Sequence, residues 1–458
     1  MRGRPGPHRP AVEGGRRPMN TALKHPRQPA TLRGVAVPAL DAATLFDVTT
    51  EDGVFTRIDP SGTRQGDEPE LWPGYTETHA HVSLPANWDD TADDPRIIAL
   101  QYLYHGVTHV VDMFGYPLVA DAWEAGRQAS PWPYPEVVHC GYAVTAMTNT
   151  AGLTGHGVEF PAPVHMLAVE ADLDHALRSN AARGGTFLKV MFTDGTEQPG
   201  SPVRFSRLSR EVLTFTARMA AERGITAVID CNTEQETRWA YECGFRLFAH
   251  TVRDRTLGAA DWKGLEGARF VSTLAGLRPM VMTRDEFLTE YGREGFVETQ
   301  DSRNLDFVKG IEKPFGIEYG CQETRTAALA DMRRNALAAL GRGNLLVGTD
   351  SGNTGAYHGY SFLSELDLLR GDDAALAQPL RHQATVGGRR YFDELRGEAG
   401  GAHPLSVGAT ATYNLHAPGE PLSALPSATV VQGVAIDRAA IARTIAGLRA
   451  PAQRGQAA

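Results

Sequence analysis

Short apolar or alternating segments, which are typical of β-strands, occur near both ends of the chain. The first group covers residues 32–37, 44–49 and 53–58, and turn-forming Asp, Gly and Pro residues separate its members. A second group lies far downstream, at residues 409–414 and 428–436. Because these groups bracket a long middle region, we predict one small β-sandwich domain that is formed from both chain ends.

The middle of the chain alternates between strand patterns and helical patterns that end at glycine. The predicted strands are residues 105–111, 135–141, 186–192, 225–230, 245–250, 269–274 and 344–349. Between them lie helical segments such as 211–223 and 234–243, which end at Gly224 and Gly244. About eight such units favour an α/β fold with a (β/α)8 TIM barrel. A doubly wound open sheet is the alternative, and it is disfavoured because no Gly-rich phosphate-binding sequence follows an early strand.

The chain lacks an apolar pattern up to about residue 28 and again from about residue 449. Residues 1–30, rich in Arg, Pro and Gly, are predicted to be a disordered tail, and residues 438–458 a C-terminal tail. We expect no secretory signal, because no apolar run follows the early positive charges. The β-sandwich domain is then assigned to residues 31–73 plus 405–437, and the barrel domain to residues 74–404.

Composition and charge narrow the class of protein. Of 458 residues, 42% are hydrophobic and 22% charged, which is typical of a globular chain. No apolar run approaches the roughly 18 residues of a membrane span, and the net charge of −9 disfavours a nucleic-acid binder. Four widely spaced cysteines without a C-x-x-C pair disfavour a disulfide scaffold and a thiolate zinc site. We expect a cytoplasmic enzyme that acts on a small molecule, without nucleic-acid or membrane partners; a homo-oligomer is left open.

The strongest candidate for chemistry is the sequence PGYTETHAH at residues 73–81. In a strand, residues i and i+2 face the same side, so His79 and His81 project together. Two imidazoles on adjacent pleats can bind one metal ion. Two surface histidines in a loop are the alternative.

With the predicted barrel, this sequence resembles the amidohydrolase superfamily, in particular its imidazolonepropionase- and prolidase-like branch. That family has PG-x-x-[DN]-x-H-x-H in its first barrel strand, and the resemblance covers residues 31–437. It implies a metal-dependent hydrolase that uses a metal-activated water to cleave a C–N bond in an amide, lactam or cyclic amide, other than an ordinary peptide bond. The implied cofactor is one or two divalent metal ions, with zinc favoured over manganese or iron.

The resemblance assigns roles to three further residues. Lys189 lies in the apolar segment TFLKVMF, where a buried, unpaired amine tends to lose its proton and can then react with carbon dioxide. In the family, the lysine of this strand becomes a carbamate that bridges two metals. His250 ends a strand where the family has a metal-binding histidine. Asp350, in GTDSG, matches the family aspartate that binds metal and takes a proton from the water. The structural alternatives are a lysine at a strand end, a rim histidine and an N-cap aspartate.

Asp230 departs from the family pattern. The family has histidine at the end of strand five, where this chain reads VIDCNT over residues 228–233. Aspartate is a suitable oxygen ligand, so a metal site that includes Asp230 can persist with a less positive charge. A less positive centre makes bound water less acidic. A single-metal site of His79, His81 and Asp350, and a centre adapted to non-hydrolytic chemistry, are the alternatives.

Loops after the predicted strands contain candidate substrate-binding residues. His156 lies in a G-H-G sequence that resembles a family loop, and Arg278 follows the seventh strand, where it could pair with a substrate carboxylate. His358 follows Asp350 closely enough to reach the same opening. Exposed loop residues without a function are the alternative for each of them.

Other functions are compatible with the same fold. A deaminase, a decarboxylase or lyase, and an isomerase would each use the metal as a Lewis acid. Deaminases of this superfamily usually bind one metal without the bridging lysine, so Lys189 disfavours that option. A pseudo-enzyme that binds a small molecule is supported only by the missing strand-five histidine.

Overall fold

The structure is a computed structural model that describes residues 27, 29–87, 93–148, 163–195, 205–310, 322–398 and 400–450. The strands are β1 (Ala30–Val37), β2 (Asp41–Glu51), β3 (Val54–Thr63), β4 (Glu70–Pro73), β5 (Tyr75–Ala80), β6 (Val107–Asp112), β7 (Glu136–His139), β8 (Ala143–Ala146), β9 (Val164–Leu167), β10 (Leu188–Met191), β11 (Ala227–Asp230), β12 (Leu247–Phe248), β13 (Arg269–Val271), β14 (Leu345–Leu346), β15 (Tyr413–His416), β16 (Ala428–Val431) and β17 (Val434–Ala435).

The α-helices of the described residues lie mostly between the parallel strands. They are α1 (Pro95–Tyr104), α2 (Pro117–Ala129), α3 (Glu170–Ala182), α4 (Arg210–Glu222), α5 (Glu234–Glu242), α6 (Ala259–Gly264), α7 (Leu274–Leu277), α8 (Arg284–Glu290), α9 (Phe296–Thr299), α10 (Ser302–Gly310), α11 (Gln322–Leu340), α12 (Tyr360–Arg370), α13 (Ala377–His382), α14 (Gly388–Arg396) and α15 (Arg438–Arg449). None of these helices combines the length and the apolar character that crossing a membrane requires.

Strands from both chain ends pair in one curled sheet. Its order is β17-β16-β15-β4-β1-β2-β3, and the antiparallel pair β15–β4 joins the end of the chain to its beginning. Val35, Val37, Phe46, Phe55 and Tyr413 are buried together against it. In the described residues this region is therefore one continuous seven-stranded sheet, and its division into the two layers of a sandwich stays a prediction. The sheet curls enough for its own side chains to form the core.

The middle of the chain forms two parallel sheets. Their orders are β5-β6-β7 and β14-β13-β12-β11-β10-β8-β9, so the fold is mixed α/β as predicted. Backbone hydrogen bonds join these two sheets: the Thr186 nitrogen, just before β10, donates to the His139 carbonyl over 3.0 Å, and the Asp350 nitrogen, just after β14, donates to the His79 carbonyl over 2.8 Å. Complete closure into a barrel stays a prediction. Because parallel strands point the same way, their carboxyl ends lie along one edge of each sheet.

The start of α5, which follows β11, shows how local sequence fixes the chain at the carboxyl end of a strand. Thr233 caps α5, and its hydroxyl accepts a hydrogen bond from the Glu236 nitrogen. The Glu236 carboxylate in turn accepts from the backbone nitrogens of Asn232 and Thr233. This reciprocal capping satisfies donors that the first helical turn leaves unpaired. It therefore holds the chain firmly just after Asp230.

The C-terminal segment corrects the predicted tail. Residues 438–449 form α15, and the side chain of Asp437 accepts a hydrogen bond from the Ala440 nitrogen at its start. Ile441 and Ile445 lie one helical turn apart and are buried against Ile97 of α1. The tail assignment was wrong here because this four-residue apolar spacing predicts an amphipathic helix. Residues 451–458, and 1–26 and 28 of the predicted N-terminal tail, lie outside the described residues.

Candidate metal centre

The first candidate ligands lie at the carboxyl end of β5, a strand whose residues are all buried. Beside it runs the segment that follows β14 and contains Gly348. A Cβ atom at Gly348 would lie 2.6 Å from Val271 Cγ1 and 2.8 Å from the His79 nitrogen. Only glycine allows this close approach, because no other residue lacks a Cβ. Gly348, the first glycine of the GTDSG sequence, thus brings Asp350 next to the histidines.

His79, His81 and Asp350 converge on one point. The Nε2 atom of His79 lies 3.2 Å from Asp350 Oδ1, and the Nε2 atom of His81 lies 2.9 Å from the same oxygen. One potential ligand atom from each residue lies within 4.8 Å of the other two. A metal ion with ligand distances of about 2 Å fits among atoms so spaced.

Contacts at Nδ1 leave the Nε2 atoms of both histidines facing Asp350. Nδ1 of His79 lies 2.9 Å from the Ala249 carbonyl, to which it donates, and Nδ1 of His81 faces the Phe114 carbonyl over 3.4 Å. Burial, followed by the nearby Lys189 ammonium, lowers the pKa of His79 to about 3, so the imidazole is neutral. A neutral ring that donates from Nδ1 has a bare lone pair at Nε2. The His79 lone pair and the Asp350 carboxylate repel one another unless a proton or a metal ion lies between them.

Asp350 has an unusual backbone conformation. Its φ angle is +61°, in the left-handed region that residues other than glycine seldom adopt. Its nitrogen nevertheless donates to the His79 carbonyl, which keeps the two ligand-bearing segments in register. Strain of this kind, which typically costs about 1–3 kcal/mol, is concentrated at functional sites.

A second group of candidate residues lies next to the first. The rings of His79 and His250 have centroids 4.9 Å apart. His250 Nε2 lies 3.6 Å from Asp230 Oδ1, and Lys189 Nζ lies 4.0 Å from Asp230 Oδ2. The side chains of Lys189 and Asp230 are only 1% and 2% exposed, so this is a buried ion pair. The Lys189 amine thus has an acidic neighbour, which corrects the expectation of an unpaired amine.

Three further carboxyl groups are buried around these residues. Burial raises the pKa of Glu77 to about 8, and the pKa values of Asp112 and Glu365 to about 7. Glu77 accepts hydrogen bonds from the nitrogens of His79 and Thr349 and from the Thr349 hydroxyl, over 2.9, 3.0 and 2.6 Å. It therefore links the residue before Asp350 directly to His79.

Sequence reasoning did not single out Glu77, Asp112 or Glu365. Glu77 is two residues before His79 and thus on the same face of an ideal strand, a signal that could have identified it. Asp112 ends β6, where an aspartate at a strand end carries the same signal as Asp350. Glu365 lies within a helix, where its sequence neighbours give no indication of what it contacts.

The candidate substrate-binding residues have different surroundings. His358 is buried, and its Nδ1 lies 3.0 Å from the Tyr102 hydroxyl, which is bonded to the Ser351 hydroxyl next to Asp350. Arg278 lies in a 3₁₀ turn after α7 and pairs with Glu286 over 3.2 Å. His156 lies outside the described residues. Contact with substrate stays a prediction for each of them.

Solved structures of several named proteins have a fold similar to that of this chain. A bottromycin amidohydrolase is 19% identical with a TM-score of 0.63, over 95% of this chain and 94% of that one. A Xaa-Pro dipeptidase with bound methionine is 13% identical with a TM-score of 0.61, over 86% and 95%. The A. niger ochratoxinase is 15% identical with a TM-score of 0.60, over 89% and 95%. No protein-family model and no curated protein sequence matches the chain. At these identities the likeness shows the fold.

Proposed function

We propose that this chain, which has the fold of the amidohydrolase superfamily, is a metal-dependent hydrolase of C–N bonds in amides, lactams or cyclic amides. The observation that carries the proposal is the convergence of two imidazole nitrogens on one carboxylate oxygen, over 3.2 and 2.9 Å. Because these three atoms lie so close together, a metal ion among them would be bound by two imidazoles and a carboxylate. Imidazole and carboxylate ligands suit zinc, and also manganese or iron.

The residues of the chain then divide the work of hydrolysis. When bound, a divalent ion supplies Lewis acidity, which makes water more acidic and polarises a carbonyl group. His79 and His81 would hold the ion through Nε2, while their Nδ1 atoms face backbone carbonyls. Asp350 has the most exposed side chain of the three, at 17% against 0% and 8%. We therefore propose Asp350 as the residue that accepts a proton from water and delivers it to the leaving nitrogen.

The group of Lys189, Asp230 and His250 is proposed as a second half of the centre. His250 and Asp230 offer a nitrogen and an oxygen 3.6 Å apart, next to His79. A carbamate on Lys189 would add the oxygens for a second ion. The buried pairing of Lys189 with Asp230 instead favours one ion at His79, His81 and Asp350 when carbon dioxide is absent.

We also propose that the parallel strands close into a (β/α)8 barrel around this centre. The hydrogen bonds between β5 and the segment after β14 support closure on one side, where the His81 nitrogen donates to the Ser351 carbonyl over 2.7 Å. In such barrels, active sites lie at the carboxyl ends of the strands. His79, Asp230 and Asp350 lie at the ends of three of them or just beyond.

Metal binding and hydrolysis test the proposal together. The protein is stripped of metal and reloaded with zinc, manganese or iron(II). Release of amine is then measured from lactams, N-acyl amino acids and dipeptides that end in proline. We expect metal to be required, and His81→Ala to lose more than about 100-fold in activity. His416→Gln is the control, because His416 is also a buried histidine and lies in the seven-stranded sheet. A wild-type chain that binds no metal after reloading contradicts the proposal.

A further inference from the structure

Glu365 is a buried acid whose partners lie on the rim of the candidate metal centre. It belongs to α12 and has no exposed surface. Its Oε1 atom accepts a hydrogen bond from the Leu274 nitrogen over 3.1 Å, and its Oε2 atom accepts from the Ala275 nitrogen over 2.6 Å. These are the first residues of α7, immediately after β13. A carboxylate is the side chain best suited to receive two neighbouring N–H groups.

The turn that Glu365 holds contacts the centre at two points. Thr273 precedes Leu274, and its hydroxyl lies 2.7 Å from Nδ1 of His250. A Cβ atom at Gly276 would lie only 2.9 Å from the Cβ of Asp350. The same turn thus lies against both His250 and Asp350.

The turn has a strained conformation that needs support. Thr273 has a φ angle of +51°, which is unfavourable for a β-branched residue. Its nitrogen donates to the Gly348 carbonyl over 2.9 Å, so strand pairing fixes one side of the residue. The hydrogen bonds from Leu274 and Ala275 to Glu365 fix the other side.

We propose that Glu365 is a positioning residue of the metal centre, which holds the 273–276 turn so that Thr273 orients His250 and Gly276 stays packed on Asp350. The inference rests on the proposed function, because its readout is metal binding. Hydrogen-bond partners of metal ligands typically contribute about 10- to 100-fold in metal affinity. Glu365 does not contact a candidate ligand itself. It acts through Thr273, whose hydroxyl is the hydrogen-bond partner of His250.

Zinc affinity of the metal-stripped full-length protein tests this role, measured by competition with a chromophoric chelator. Glu365→Gln places an amide N–H₂ group against one of the two backbone donors, and Thr273→Val removes the hydroxyl at nearly constant volume. We expect each variant to bind zinc about 10- to 100-fold more weakly. The double variant should bind no more weakly than the worse single one, because both changes disrupt one contact chain.

A matched variant separates positioning from general loss of stability. Glu70→Gln alters another buried carboxylate, which bonds Trp72 and Arg381 in the seven-stranded sheet and not at the centre. It should keep wild-type zinc affinity even if its melting temperature falls as far as that of Glu365→Gln.

The outcomes distinguish this inference from the proposed function. If the wild-type protein binds no zinc, the proposed function fails. If it binds zinc and Glu365→Gln binds equally well, or if the two single variants have additive effects, only the positioning role is overturned. Should Glu365→Gln fail to fold, Thr273→Val decides alone, and unchanged zinc affinity in that variant overturns the inference.

Discussion

The buried pair of Lys189 and Asp230 gives a prediction whose size follows from the structure. Their charged atoms lie 4.0 Å apart, and the side chains are 1% and 2% exposed. With an effective dielectric constant of about 20, two unit charges at this distance attract by about 4 kcal/mol. Removing one partner deprives the other buried charge of this attraction, and breaking a buried pair in this way typically destabilises a protein by about 3–5 kcal/mol.

Three variants measure this coupling. In metal-stripped protein kept free of carbon dioxide, Lys189→Met and Asp230→Asn should each lower the free energy of unfolding by about 3–5 kcal/mol. The double variant should be close to wild type, because neither charge then remains without its partner. Urea denaturation followed by tryptophan fluorescence provides the free energies for a double-mutant cycle.

An exposed pair at nearly the same distance is the control. Arg293 and Asp367 lie 3.8 Å apart with side chains 53% and 32% exposed, and pairs of this kind couple by about 0.2–1 kcal/mol. A coupling between Lys189 and Asp230 that is no larger than in the exposed pair would refute the reasoning. The two side chains would then be neighbours without a shared charge interaction.

Three shorter predictions concern the same centre. Lys189→Ala should lose most hydrolytic activity and partly regain it with added short carboxylic acids, which can replace a carbamate; full activity without them contradicts that role. Asp230→Asn should lower the metal content, whereas Asp230→His should keep metal and move the pH optimum of hydrolysis downward, since a neutral ligand leaves the centre more positive and nearby water more acidic. Unchanged metal content and pH profile in both would show that Asp230 is not a ligand. Glu77→Leu leaves three buried donors without an acceptor, which costs about 1–3 kcal/mol for each donor. Urea denaturation should therefore show that the free energy of unfolding falls by at least about 3 kcal/mol. An equal fall in Glu77→Gln, which still has a carbonyl acceptor, would argue against this cause.

Much of the architecture was predictable because it depends on local patterns. Apolar segments indicated strands such as β10, and helical patterns that end at glycine indicated helices such as α4 and α5, all near their observed bounds. The i, i+2 rule for strands placed His79 and His81 on one side, and the GTDSG sequence pointed to Asp350 through its resemblance to the family. These features need only the periodicity of the backbone and the chemistry of short segments.

The tertiary structure alone decided how distant groups meet. No spacing in the sequence indicates that the Lys189 amine lies 4.0 Å from Asp230, or that Glu365 of α12 receives the nitrogens of Leu274 and Ala275. Such contacts join segments about 40 to 90 residues apart along the chain. They arise from the order in which parallel strands pair and from the side on which each helix packs. The sequence therefore determined which residues are available for chemistry, while sheet pairing and helix packing determined their partners, charges and hydrogen bonds.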